Sequence, residues 1–268
     1  MNIGFIGFGN MAKAIAKGLI DNNISEKNEL YFSTRSEESR TAIENDWGIT
    51  GMDSSQSVLD HAKVIVLAVK PHQVDSVLGG LNIPADSLFL SVVAGYSSKQ
   101  LHQYIAPEKC IRTMPNLNAQ VNASMTALVE NEHVSDEDME KAQTIFTAVG
   151  EVEVVPEDQL GIFIALAGSS PALVFLFIDT LARAAVKHGM PKDKATKIAA
   201  QAVLGSGKTV KESSDSPWNL IDQVSSPGGI TVEAVLSLLE SDFSSSLIKS
   251  FDTMIDKNDT MTEKNSLK

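Results

Sequence analysis

In the first 155 residues, the pattern of apolar and polar positions predicts strands and helices in alternation. Short, mostly apolar runs predict strands at 1–6, 29–33, 64–69, 88–93 and 110–114. Helical patterns lie between them, and the pattern at 135–146 begins with Ser135 in position to cap it. This alternation predicts an α/β, Rossmann-like doubly wound sheet over residues 1–155.

From Pro156 onward the chain has only helical patterns. Residues 156–167 and 172–188 are apolar on nearly every face, which predicts a buried helix pair separated at Gly168 to Pro171. Further helical patterns follow at 192–211, 217–224, 232–239 and 247–255. We therefore expect an all-α domain at 156–256 that buries part of its surface against a second subunit. Residues 257–268 are polar without a pattern and predict a flexible tail.

The first strand ends in a glycine-rich turn, residues 3–12 with the sequence IGFIGFGNMA. Gly7, Gly9 and Ala12 fit G-x-G-x-x-G/A, and a helical pattern follows directly. The first glycine permits a tight turn, the second lets a diphosphate approach the backbone, and Ala12 lets the helix pack close to the strand. The turn predicts a dinucleotide site at a helix N-terminus, although such a turn also occurs without a ligand.

The end of the second strand bears on the choice of cofactor. NAD-binding chains usually place an acidic residue there, but this chain has Ser33, Thr34 and Arg35. A guanidinium can pair with a 2′-phosphate, which an acid would repel. We therefore predict NADP(H) as the cofactor and leave NAD(H) open. The alternative is that Arg35 lies on the solvated rim and binds no phosphate.

A second glycine-rich turn, Ser225 to Thr231 with the sequence SSPGGIT, precedes the helical pattern at 232–239. Its backbone N–H groups could hold an anion such as a carboxylate, and Thr231 is placed to cap the helix. Taken alone, the motif favours an ordinary turn with a threonine cap.

Together these motifs resemble the pyrroline-5-carboxylate reductase family. The resemblance covers the glycine turn, LAVKP at 67–71, VAG at 93–95, MPN at 114–116, the break at 168–171 and DQVSSPGGIT at 222–231. It implies NAD(P)H-dependent reduction of Δ1-pyrroline-5-carboxylate to L-proline, with a Rossmann domain followed by a helical dimerisation domain. In that family the dimers commonly assemble further into decamers.

The resemblance also implies roles for particular residues. Those implied to bind the cofactor are Gly7, Gly9, Asn10, Met11, Ser33, Arg35, Ala68, Lys70, Pro71, Ala94 and Asn116. Those implied to bind the substrate carboxylate lie in the second turn and are Ser225, Ser226, Gly228, Gly229 and Thr231. Thr231 is also the implied catalytic residue, with its hydroxyl hydrogen-bonded to the ring nitrogen.

The amino-acid composition limits the binding partners and the cellular compartment that we expect for this protein. The net charge of −12 argues against nucleic acid and anionic membranes, and the single Cys110 fits a reducing compartment. We see no signal peptide and expect a cytoplasmic protein. The five histidines show no metal-ligand or Ser/His/Asp arrangement, so no metal is predicted; they are His61, His72, His102, His133 and His188.

The chain departs from the family pattern at three places: Ser55 for an asparagine, Leu117-Asn118 for Thr-Pro, and Ser170 for a glycine. The changes at Leu117, Asn118 and Ser170 motivate one alternative, an NADP-binding paralogue with a sensor or interaction role. Another is a related imine or β-hydroxyacid oxidoreductase, the latter of which normally relies on a catalytic lysine in the helical domain. The candidates there, Lys187, Lys208 and Lys211, lie in no such motif.

Overall fold

A computed structural model describes residues 1–266, with side chains described through residue 262. The first 155 residues contain eight strands. They are β1 (Ile3–Ile6), β2 (Leu30–Ser33), β3 (Thr50–Met52), β4 (Val64–Leu67), β5 (Leu88–Ser91), β6 (Cys110–Met114), β7 (Ser124–Val129) and β8 (Gly150–Val155). All five strands predicted from the sequence are present, and β3, β7 and β8 are additional to the prediction.

The eight strands form one sheet in the order β3-β2-β1-β4-β5-β6-β7-β8. Strands β1 to β6 pair in parallel, and β7 pairs antiparallel with β6 and parallel with β8. Only a short 3₁₀ turn, Leu117–Val121, links β6 to β7, which is too short for the crossover that a parallel pair requires. The doubly wound, Rossmann-like prediction is confirmed.

Helices connect the strands on both faces of the sheet. They are α1 (Asn10–Asp21), α2 (Glu37–Trp47), α3 (Ser55–His61), α4 (Val74–Leu78), α5 (Ser98–Leu101) and α6 (Asp136–Thr147). Alternating strand residues point to opposite faces, so Phe5 belongs to the core beneath α1 and α6 and Ile6 to the core beneath α3 and α4. Ser135 caps α6 by accepting from the Asp138 amide, as predicted.

Only helical elements follow β8. They are α7 (Leu160–Phe163), a π-helical segment (Ile164–Ser169), α8 (Ser170–Lys187), α9 (Lys192–Glu212), α10 (Pro217–Val224), α11 (Ile230–Glu240) and α12 (Phe243–Ser266). By contact density residues Met1–Ser169 and Ile255–Lys268 form one compact unit, and Ser170–Met254 form a second.

The predicted separation of two helices at Gly168 to Pro171 is wrong. Glu157–Lys187 is one helical stretch of 31 residues, because the π-helical turn before Pro171 absorbs the proline without a break. The most apolar window of this helical stretch has a mean hydropathy of 2.2, so by length and composition alone the helix could span a membrane. Only 17% of that window is buried within the chain. The prediction of burial within the chain is therefore also wrong for most of this stretch.

The last helix, α12, extends through the polar residues near the C-terminus. Residues 257–266 continue α12 although they carry no apolar pattern, and Leu267 and Lys268 lie outside the described residues. The flexible tail at 257–268 stays a prediction. Threonine hydroxyls bond back along the helix, from Thr260 to the carbonyl of Asp256 at 2.8 Å. A Cβ added at Gly161 would lie 3.0 Å from the Asn258 side chain, so this part of α12 packs against α7.

Candidate functional site

The turn between β1 and α1 depends on Gly7. Its φ of +86° is unfavourable for other residues, and an added Cβ would lie 2.8 Å from the carbonyl oxygen of Ala68. The Gly7 amide donates to the carbonyl of Ser33 at 3.1 Å, and the Ala68 amide donates to Ile6 at 2.9 Å. The turn is thereby held between the carboxyl ends of β2 and β4, where open α/β sheets bind ligands.

Gly9 leaves the first turn of α1 accessible to an anion. It is the N-cap residue with extended backbone, no side chain caps the helix, and the first turn carries no acid. No heavy atom lies within 4 Å of the position a Cβ would take at Gly9. The start of α1 therefore lacks a side-chain cap and borders open space at Gly9, at the positive end of the helix dipole, as a diphosphate requires.

A cavity of about 710 Å³, here named the adenosine-side cavity, opens at this turn. Its lining includes six residues predicted to bind the cofactor, namely Gly7, Gly9, Ser33, Arg35, Ala68 and Lys70. None of the described residues that line it is acidic. The charge of its walls therefore suits a phosphorylated ligand.

A smaller cavity of about 370 Å³, here named the nicotinamide-side cavity, adjoins the first. The two share Gly9, Ala68, Val69 and Lys70, and the smaller one adds the predicted residues Asn10, Met11, Pro71 and Ala94. Both cavities therefore meet at the glycine turn, as the two halves of a dinucleotide would around its diphosphate.

The segment after β4 that lines both cavities is held by hydrogen bonds. The Lys70 amide donates to the side-chain oxygen of Gln73 at 3.1 Å. One carboxylate oxygen of Asp75 then accepts from the hydroxyls of Tyr96, at 2.5 Å, and Tyr104, at 3.0 Å. These bonds join α4 to the segment after β5, which also carries Ala94 of the nicotinamide-side cavity.

Ser33 has a partner that the sequence did not indicate. Its hydroxyl lies 3.1 Å from that of Ser55, at the first position of α3, and both residues line the adenosine-side cavity. Ser55 stands where the resembled family tends to have asparagine, and this contact brings its hydroxyl to the end of β2. Two hydroxyls and the exposed Arg35 are therefore grouped at the end of β2.

Asn116 is the predicted cofactor residue that lines neither cavity. It is buried, with 6% of its surface exposed, and its side chain donates to the carbonyl of Ala167 and accepts from the Asn118 amide. The neighbouring Leu117 and Gln120 line the nicotinamide-side cavity instead.

Several further lining residues had no role in the sequence analysis. In the adenosine-side cavity they include Lys13, Ser39, His72, Gln73 and Ser76. Lys13 could have been found from its spacing, since it follows Gly9 by one helical turn. The others come from elements whose approach to the turn only the fold determines.

In the helical unit, the turn before α11 presents an unsatisfied polar group. The hydroxyl oxygen of Ser225 is buried and has no hydrogen-bond partner among the described residues. Gly228 takes a φ of +69°, and the Gly229 amide donates to the carbonyl of Ser226 at 2.9 Å. A buried hydroxyl without a partner is costly, so the turn is suited to a polar ligand.

The prediction that Thr231 caps α11 is wrong. Gly229, with extended backbone, is the N-cap residue, and α11 begins at Ile230, so Thr231 is its second residue. Gly229 has no side chain to accept from the first turn, which leaves those amides without a side-chain cap. The hydroxyl of Thr231 has no hydrogen-bond partner in the part of the chain that the structure describes.

Exposed apolar side chains concentrate in the C-terminal half. Among the described residues, all large hydrophobic side chains classed as exposed belong to residues 157–261, apart from Met1, Leu117, Val121 and Val154. In α8 alone, Phe175 is 52% exposed and Leu176 is 64% exposed. A surface of this kind is typical of one that a partner subunit covers.

The fold and the two cavities define the class of protein: a dinucleotide-binding α/β protein with an appended helical unit. Comparison with known proteins narrows this class. Residues 157–261 match the family model for pyrroline-5-carboxylate reductase dimerisation, and residues 2–95 match the model for NADP oxidoreductase, coenzyme F420-dependent. The pyrroline-5-carboxylate reductase of Escherichia coli is 40% identical over 264 residues, which cover 97% of this chain and 98% of that protein. The chain therefore belongs to the pyrroline-5-carboxylate reductase family.

Solved structures agree with this membership. A pyrroline-5-carboxylate reductase from Coxiella burnetii superposes with a TM-score of 0.89 at 32% identity, covering 97% of this chain and 98% of that one. The pyrroline carboxylate reductase of Plasmodium falciparum, solved with NADP bound, superposes with a TM-score of 0.86 at 28% identity and covers 98% of both chains. The Rossmann-like domain followed by a helical dimerisation domain is thus confirmed.

Proposed function

We propose that this protein catalyses the NAD(P)H-dependent reduction of Δ1-pyrroline-5-carboxylate to L-proline, the last step of proline biosynthesis. The observation that carries the proposal is the near full-length match to reductases of this name, together with a glycine turn open to a diphosphate. The reaction adds a hydride to the carbon and a proton to the nitrogen of a cyclic C=N bond.

The residues present fit a nicotinamide dinucleotide. Gly7, Gly9, Asn10 and Met11 would hold the diphosphate, because they form the turn and the first amides of α1. Ser33 and Arg35 would hold the adenosine phosphate, and Ala68, Lys70, Pro71 and Ala94 would border the nicotinamide half, with Asn116 behind them. NADP(H) is the expected cofactor because the described lining of the adenosine-side cavity contains no acid to repel a 2′-phosphate. When bound, the reduced nicotinamide supplies the hydride.

The turn at Ser225 to Thr231 would hold the substrate. A carboxylate could accept from the buried Ser225 hydroxyl and from backbone amides at Gly228 and the start of α11, with the Gly229-to-Ser226 hydrogen bond closing the turn. The Thr231 hydroxyl, not needed as a cap, would hydrogen-bond the ring nitrogen. Because a protonated imine is already electrophilic, holding it in place supplies much of the rate, without a nucleophile or a metal.

The activity test is oxidation of NADPH on addition of pyrroline-5-carboxylate to the full chain, repeated with NADH and with larger cyclic imines. We expect turnover with the five-membered imine and a lower KM for NADPH than for NADH. Tight NADP⁺ binding without turnover of any cyclic imine would replace the proposal with a sensor or interaction role.

Oligomerisation accompanies this function, since the matched dimerisation model covers the helices with exposed apolar side chains. We propose a homodimer through this surface, with decamers as the larger assembly. Phe175→Asp should reduce the mass measured by light scattering after size exclusion, whereas Val121→Asp, outside the matched region, should not. Equal masses for wild type and Phe175→Asp would remove α8 from the interface. The cytoplasmic location and the absence of nucleic-acid and membrane partners stay predictions from the sequence.

A further inference from the structure

Basic side chains without a counter-charge converge on the adenosine-side cavity. In residues 1–169, all described, five of the Lys and Arg side chains form no ion pair with a carboxylate: Lys13, Lys27, Arg35, Lys70 and Lys99. Three of these five, Lys13, Arg35 and Lys70, line that one cavity. The whole chain has 34 acidic against 22 basic residues, so cations without partners are not expected to gather at one place by chance.

Lys13 is the least expected of the three. It lies in α1, one turn after Gly9, where the positive end of the helix dipole disfavours a cation. It is also half-buried, whereas Lys17, one turn further along, is exposed and pairs with Asp21. Among the described residues no carboxylate pairs with Lys13, so its charge is available to a bound anion.

The two cavities indicate which anion this is. Lys70 lines both cavities, so it belongs where they meet, at the position of the diphosphate. Lys13 lines the adenosine-side cavity together with Arg35 and Ser39, but it does not line the nicotinamide-side cavity. It also borders a shallow groove of about 400 Å³ with Lys17 and Trp47, and this groove shares Asn10, Ala14 and Gln120 with the nicotinamide-side cavity.

We propose that Lys13 is a specificity-determining residue, the second cation, with Arg35, for the 2′-phosphate of NADP(H). The inference rests on the proposed use of this cofactor. A 2′-phosphate carries close to two negative charges at neutral pH. Arg35 binds it as a planar donor from the end of β2, and Lys13 binds it as a point charge from α1. Lys13 therefore contributes, with Arg35, to the choice of NADP(H) over NAD(H).

Equilibrium binding tests the inference without turnover. The Kd values of NADP⁺ and NAD⁺ are measured by calorimetry for wild type and Lys13→Gln, together with adenosine 2′,5′-bisphosphate and adenosine 5′-monophosphate. We expect Lys13→Gln to weaken NADP⁺ and the bisphosphate roughly tenfold, in the range of a lost charge-assisted bond, and to leave NAD⁺ and the monophosphate within about twofold. Lys13→Arg keeps the charge and should restore most of the NADP⁺ affinity.

Lys17→Gln is the matched control, because it removes the same charge from the same helix at a position that does not line the adenosine-side cavity. An equal loss of NADP⁺ affinity in Lys17→Gln would show that the loss comes from the general positive potential of α1 and not from a contact at residue 13. That result would overturn the inference. Equal weakening of NADP⁺ and NAD⁺ in Lys13→Gln would assign Lys13 to the diphosphate and also overturn it. A wild type that binds NADP⁺ but does not reduce pyrroline-5-carboxylate would defeat the proposed function and leave this inference standing.

Discussion

The side-chain amide of Asn116 donates a 2.8 Å hydrogen bond to the main-chain carbonyl of Ala167. In a regular α-helix that carbonyl would accept from the amide of residue 171, but residue 171 is proline and has no N–H. The chain passes this point in a π-helical turn, Ile164–Ser169, and the helix continues. Asn116 thus replaces the donor that Pro171 lacks, which gives its burial a structural reason.

Asn116→Ala should lower the free energy of unfolding by about 1–3 kcal/mol, because a buried carbonyl loses its donor. The measurement is urea unfolding followed by circular dichroism. Asn118→Ala is the control, since only the backbone amide of Asn118 takes part in the bond to Asn116. Pro171→Ala restores an amide near Ala167, so in that background Asn116→Ala should cost less. If the losses of stability from Asn116→Ala and Pro171→Ala simply add in the double variant, the Asn116 side chain does not take the place of the missing amide of residue 171.

Gly7 and Gly9 should respond differently to the same substitution. Gly7→Ala places a Cβ 2.8 Å from the Ala68 carbonyl at a φ of +86°, so we expect a stability loss of about 1–3 kcal/mol. Gly9→Ala meets no atom of the chain within 4 Å, so the fold should tolerate it. Its methyl group would instead occupy the space of the diphosphate and raise the Kd of NADP⁺. Urea unfolding and calorimetry on both variants separate the two effects; unchanged NADP⁺ affinity in Gly9→Ala would place the diphosphate elsewhere.

Thr231→Ala should reduce kcat for pyrroline-5-carboxylate by roughly 100-fold, the scale of losing one hydrogen bond to the reacting group. Thr231→Ser keeps the hydroxyl and should retain most of the rate. The Kd of NADP⁺ should be the same in all three proteins. Thr253→Ala is the control, because the Thr253 hydroxyl bonds only to the Lys249 carbonyl within α12. Full activity in Thr231→Ala would exclude its hydroxyl from the reaction.

The Cys110 thiol should be unreactive in the folded protein. Burial, and after it the charge of Glu157, raise the pKa of this thiol to about 12. Because the thiolate is the reactive form, a disulfide reagent at pH 8 should label the native protein far more slowly than the urea-unfolded protein, in which the thiol has its ordinary pKa. Above that ordinary pKa only the unfolded state loses the proton, so this group also makes the fold less stable as the pH rises toward 12. Rapid labelling of the native chain at pH 8 would contradict this assignment.

Local patterns were enough for much of the dinucleotide site. The strand, glycine turn and helix at residues 3–12 are adjacent in sequence, so their contacts follow from short-range geometry, and Gly7 and Gly9 are where that geometry requires them. The helical spacing after Pro156 likewise located α9, α10 and α11 to within about two residues. Elsewhere the pattern misled: Pro171 indicated a break, yet the side chain of Asn116, 51 positions before Ala167, donates to the Ala167 carbonyl.

The sequence by itself determined the class of fold, the cofactor family and the turn expected to hold the substrate, since each depends on residues close together along the chain. Only the tertiary structure decided which distant side chains join them. It placed the Ser55 hydroxyl beside Ser33, gathered Lys13 with Arg35 around one cavity, and put Gly229 rather than Thr231 at the start of α11. These outcomes depend on how helices pack on a sheet and on where a helix begins, and neither is encoded in the spacing of apolar residues alone.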